Sequence, residues 1–149
     1  MKNHAEIAHV TYEPEGGVRK FLYSCRDAVF AIRAIERQRD SVRLDPARGY
    51  KGVVITDMPR GTNDPLAAAL DQLDGYDKQL LEARNELVQR LIVLEQLLTR
   101  LTSDKDKAII RYFFGQGKTD AFVAADFDMD ESTIRSRRRA AIKRIERKQ

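Results

Sequence analysis

Apolar positions recur along this chain with helical rather than strand spacing. From Val18 to about Leu44 they fall at Phe21, Cys25, Ala28, Ile32, Ile35 and Val42, alternating in steps of four and three apart from a break at Arg39. That alternation predicts a helix of coiled-coil type. Residues 1–17 carry Pro14, Gly16 and Gly17 with little periodicity, so a loose lead-in is expected there, with a short strand possible at "AEIAHVTY". Residues 45–64 concentrate proline, glycine and Asp/Asn, the composition of a connector.

The second periodic stretch has a clear start. Asp64 is a suitable N-cap, and Pro65 takes the first helical position, where its missing N–H costs nothing. Leu66, Leu73, Leu80, Leu87, Leu94 and Leu101 then follow at intervals of seven. Leu70, Leu91 and Leu98 partly fill a companion row that Asp77 and Arg84 interrupt, and Gly75 is a candidate kink. A helix from 65 to 101 would be about 55 Å long, more than the 18–44 helix could cover by folding back along it. The expected arrangement is a helical hairpin over 18–101, with the leucine row serving oligomerisation, most simply of a homodimer. The spacing alone leaves open whether those leucines pack within one chain or between two.

Beyond Leu101 the pattern breaks into three short helices. Ser103 can cap the first, whose apolar face is Ala108, Ile109, Tyr112 and Phe113, and "GQGK" supplies glycines suited to its end. Thr119 can cap the second, with Val123, Ala124 and Phe127 inward. After the turn "FDMD", Asp130 can cap the third, which turns Ile134, Ala141, Ile142 and Ile145 to one side. Phe127, Met129 and Ile134 are placed to fill the angle between the last two helices, and Asp128 occupies a turn position that glycine often takes. Asp tolerates left-handed backbone better than most residues. The fold class is therefore all-α: a loose N-terminus (1–17), a helical hairpin and oligomerisation region (18–101), and a helix-turn-helix domain (102–149).

Charge sharpens this picture. The 149 residues carry a net charge of +4, yet residues 1–103 hold 15 basic and 15 acidic side chains, while 104–149 hold 12 and 8. The excess lies wholly in the last third, which points to a polyanion-binding end. On the third short helix the residues expected to meet DNA are Ser132, Thr133, Arg135, Ser136, Arg137, Arg139, Lys143 and Arg147, with Lys118 and Thr119 at the start of the preceding helix. Ser132, Arg135, Ser136 and Arg139 lie in the first turns, from which base edges are reached, and Arg135 or Arg139 is the expected guanine reader. Arg137, Lys143 and Arg147 are assigned to phosphates.

The remaining candidate chemistry is sparse. "GQGKT" is the tail of a phosphate-binding loop without its first glycine, whose place Tyr112 holds. One cysteine and two histidines, both in the first nine residues, make neither a zinc site nor a nucleophile–base pair. No enzyme activity, cofactor or metal is expected. A lone cysteine and the lack of any apolar run of roughly 18 residues suit a cytoplasmic protein without a membrane anchor.

The segment "LTSDKDKAIIRYFFGQGKTDAFVAADFDMDESTIRSRRRAAIKRI" resembles the helix-turn-helix of the fourth conserved region of bacterial sigma factors, with Thr133 and Ile134 at its Thr-Val pair. With the upstream "VVITDMPRGTNDP" and its flanking helices, the chain is similar to small phage and prophage proteins, among them late-gene activators of the ArpU and RinA types. The resemblance implies a sequence-specific regulator of phage or prophage transcription in the host cytoplasm. It implies double-stranded DNA as partner, bound by the helix 130–148, and activation through host RNA polymerase. Nothing before residue 100 resembles the aromatic-rich segment with which sigma factors open promoters. Two positions depart from the pattern. Phe122 replaces a common acid, and Arg138 replaces an apolar residue, so Arg138 is expected to run along the edge of the inward face with its charge in water. The alternative is a phage assembly or packaging protein such as a small terminase subunit, although those usually carry the DNA-binding module first.

Overall fold

The structure is a computed structural model and describes Pro14, residues 16–42 and residues 64–147. All of its elements are helical: α1 (Val18–Asp40), α2 (Pro65–Leu98), α3 (Asp104–Ile110), α4 (Asp120–Phe127) and α5 (Glu131–Arg147). A wide π-turn, Arg111–Gly115, continues α3. No strand occurs among the described residues. The expected strand at 5–12 and all of the connector except Asp64 lie outside them. None of the described helices is long and apolar enough to cross a membrane.

Local chemistry explains the boundaries. Asp64 accepts from the Leu66 amide at 3.0 Å and starts α2, and the helix passes through Gly75 unbroken. Ser103 accepts from the Asp106 amide, Thr119 from the Phe122 amide, so α3 and α4 begin where hydroxyl caps were expected. Asp128 ends α4 in the left-handed region (φ 55°, ψ 51°), with its amide directed to the carbonyls of Ala124 and Ala125. Both long helices stop slightly earlier than their periodicity suggested, α1 at Asp40 rather than Leu44 and α2 at Leu98 rather than Leu101.

The chain forms two compact units. One comprises residues 1–30 and 86–149, the other Ala31–Asn85. The expected boundary at 101/102 does not separate them, because Leu94, Leu97, Leu98 and Leu101 share one apolar cluster with Ile110, Phe114, Ala141, Ile142 and Ile145. Val18, Leu22 and Cys25 of α1 complete that cluster. Each buried Val, Leu, Ile or Phe of the cluster contributes about 1.5–3 kcal/mol by leaving water. A second cluster in the same unit gathers Ile109, Val123, Ala124 and Ile134, with Tyr112, Phe127 and Met129 packed against it. Phe127, Met129 and Ile134 thus meet where α4 turns into α5, as their spacing suggested. In the other unit Arg84 pairs with Glu36 at 3.1 Å and Arg39 with Asp77 at 2.7 Å. Numbering rises along α1 as it falls along α2, so the two segments run antiparallel there.

Three expectations need correction. The buried row of α1 is Val18, Leu22, Cys25, Val29 and Ile32, sharing only Cys25 and Ile32 with the seam read from the sequence. Phe21 is a half-buried neighbour of the core instead. On α3 and its π-turn, Ile109, Ile110, Phe113 and Phe114 are buried and Tyr112 only partly so, because the π-turn inserts a residue and shifts the inward face. Half of the leucine row packs within its own chain. Leu94 and Leu101 are 1% and 3% exposed in the first unit's core, and Leu80 is 5% exposed. Leu73 and Leu87 are half-buried, and Leu66 alone is exposed.

Candidate nucleic-acid interface

The candidate surface is built on α5, whose two halves are anchored in different clusters. Ile134 sits in the cluster of α3 and α4, whereas Ala141, Ile142 and Ile145 sit in the cluster of α1 and α2. Arg100 donates to the Ile145 carbonyl at 2.9 Å, and Arg19 reaches Glu146 at 3.3 Å, holding the last turns. With 3.6 residues per turn, this burial turns Ser132, Ser136, Arg139, Lys143 and Arg147 to the opposite side. All five are exposed.

The structure brings those five expected residues onto one face and separates the others from it. Arg135 is drawn to one flank, 3.7 Å from Glu131 and 4.0 Å from Asp120. Arg137 lies on the other flank, where its Nε donates to Oδ1 of Asp106 at 3.1 Å. It was expected on phosphate. Its place is explained by Asp106, which is buried at 4% exposure and accepts on Oδ2 from Arg144 at 3.2 Å as well. Thr133 is exposed between the outer face and that second flank. Thr119 uses its hydroxyl to cap α4, and the Lys118 ammonium lies 4.5 Å from the centre of the Phe122 ring. Arg139, Lys143 and Arg147 make no ion pair among the described residues.

Arg138 does not run out to water. It is 8% exposed, forms a short ion pair with Asp120, and stacks with its guanidinium carbon 3.8 Å from the Phe113 ring centre. Arg26 of α1 approaches the same ring at 3.8 Å and donates to the carbonyls of Phe113 and Lys118 at 2.6 and 3.0 Å. One of these carbonyls lies in the π-turn and the other just before α4, so Arg26 ties the two together. Gly117 follows at φ 68°, and a Cβ at Gly115 would come within 3.2 Å of Leu94 Cδ2. The end of α3 is thereby locked to α1 and α2.

Electrostatics around the site is dominated by pairing. Glu95 accepts hydrogen bonds from Nε and Nη2 of Arg111, at 2.7 and 2.8 Å, which holds its carboxyl below the usual carboxylate range. The Tyr112 hydroxyl donates to Asp126 at 2.9 Å, and that bond raises its pKa. Asp106 and Asp120 are the residues that the sequence left unmarked, and Arg138 is the one it placed at the solvated edge instead of in this pair. An acid in the first turn of a short helix is what the helix dipole favours anyway, so neither aspartate carried a distinguishing signal. No family model, curated protein or solved structure matches the chain.

Proposed function

We propose that the chain is a sequence-specific DNA-binding regulator of phage or prophage transcription, acting in the bacterial cytoplasm, and that it activates with host RNA polymerase. In this reading α4 and α5 form a helix-turn-helix, and α1 with α2 forms the supporting helical hairpin. One observation carries it: the outer face of α5 presents Ser132, Ser136, Arg139, Lys143 and Arg147, with no acidic side chain among them. That is the polar, basic strip a recognition helix offers to the major groove. Arg139 is the principal base reader, because it is exposed and free of ion pairs among the described residues, whereas Arg135 is held between Glu131 and Asp120. Bidentate bonds to O6 and N7 make guanine its target.

The protein acts as a homodimer, which gives a DNA-binding module two half-sites. Exposed Val88 and Ile92, one turn apart on α2 and each 52% accessible, supply apolar surface for the second copy. The test of DNA recognition is selection from a random duplex library, followed by fluorescence anisotropy on selected and scrambled duplexes. Arg139→Ala should cost roughly 1–3 kcal/mol on the selected site and much less on scrambled DNA. A parent chain that enriches no sequence refutes sequence-specific binding. An unchanged ratio in the variant refutes the assignment of Arg139.

A further inference from the structure

The basic helix α5 carries seven arginine or lysine side chains between Glu131 and Arg147, yet the chain's own carboxylates hold four of them. Asp120 takes Arg138 and, at longer range, Arg135. Asp106 takes Arg137 and Arg144, which are two turns apart on one flank of the helix. Arg138 is buried on the inward side of α5 and cannot approach DNA. Arg137 and Arg144 can: their side chains are 36% and 57% exposed, about a quarter-turn from the outer face. On a helix lying in the major groove, that flank faces a phosphate strand.

Asp106 is well placed to hold both arginines. It lies in the first turn of α3, where the helix dipole favours negative charge. Its backbone amide is fixed by Ser103 at 3.2 Å, and its side chain is 5% exposed, so the two guanidiniums bond to a carboxylate that water scarcely reaches. Charge-assisted bonds of this kind are roughly twice as strong as neutral ones. Salt screens such a pair far less than it screens an exposed phosphate contact.

We infer that Asp106 restrains nonspecific DNA binding, acting as a specificity-determining residue that keeps Arg137 and Arg144 off the phosphates and leaves Arg139, Lys143 and Arg147 as the phosphate- and base-reaching charges of α5. This rests on the DNA-binding reading above. It has a numerical consequence. With Arg139 on a base, the two phosphate contacts of Lys143 and Arg147 imply a log–log salt slope of about 1.8 for that helix, whereas four would imply about 3.6, at 0.9 per phosphate contact.

The experiment measures binding of the full chain to a random-sequence 30-base-pair duplex by anisotropy between 50 and 300 mM salt. Arg137→Gln/Arg144→Gln, which keeps hydrogen-bond donors beside Asp106, should leave both affinity and slope unchanged. Asp106→Asn, which keeps the backbone cap, should release the arginines. The slope should then steepen by about 0.9 for each one freed, and nonspecific affinity should rise up to about eightfold per arginine at 0.1 M salt. Adding the two glutamine changes to Asp106→Asn should return the slope to the parent value, an outcome that loss of structure would not produce. A slope that falls by about 1.8 in the double glutamine variant overturns the restraint while leaving DNA binding intact. A steeper slope in Asp106→Asn that persists in the triple variant overturns it too. A parent chain with no salt-dependent duplex binding overturns the DNA-binding reading, and this inference with it.

Discussion

Replacing Arg138 with alanine tests whether the buried pair with Asp120 is integral to the fold. Removing one partner of a buried ion pair typically costs about 3–5 kcal/mol, because the other charge is left stranded. Asp120 retains 16% side-chain exposure and a second arginine, Arg135, at 4.0 Å, so the cost falls at or below the bottom of that range, about 2–3 kcal/mol. Loss of the stack on Phe113, at 3.8 Å, adds about 0.5–1 kcal/mol. The expected total is about 3 kcal/mol, read from urea unfolding followed by circular dichroism at constant m-value. Arg138→Met with Asp120→Asn should recover most of the loss, since a well-packed apolar replacement of a buried pair is often neutral. The double-mutant cycle should show a coupling of about 1–3 kcal/mol. A destabilisation below about 1 kcal/mol for Arg138→Ala, or additive single changes, would refute the reasoning and restore Arg138 to the solvated edge where its sequence position suggested it.

The other expectations are simpler. Burial pushes the Cys25 thiol up to about 11, so it should resist alkylation at pH 8 in the folded chain and react at once in urea; rapid native labelling would show that this core opens. The same shift means that stability is fully present below the free thiol's pKa near 9 and falls as pH rises through 11, because the unfolded state loses the proton first. Leu94→Ala should cost about 2–5 kcal/mol without altering assembly, since Leu94 is buried in its own chain; dissociation without destabilisation would return the leucine row to an interchain role. Ile92→Asp should instead leave the fold intact and weaken self-association in sedimentation, and a parent chain that is monomeric at micromolar concentration would exclude the dimer.

Where backbone groups and short-range spacing decide the outcome, the elements were legible in the residues themselves. Asp64, Ser103 and Thr119 cap helices because a short acceptor beside free amides is a local device, and Asp128 takes the left-handed turn for an equally local reason. The outer strip of α5 was legible as well, apart from Arg135, since Ile134, Ala141, Ile142 and Ile145 fix which side faces inward. What the pattern could not decide is which partner each face meets. Leu94 and Leu101 have the same spacing whether they meet another chain or Ile142 and Phe114. The π-turn at Arg111–Gly115 shifts an apolar face by a residue that no periodicity anticipates. The fate of the arginines is the clearest case. Arg137 and Arg139 are two residues apart and chemically identical, yet one is bound to Asp106, 31 positions away, and the other is exposed. Charge counted along a chain is additive, but the charge presented to a ligand depends on pairing across space, and only the packing of α3 and α4 against α5 settles that.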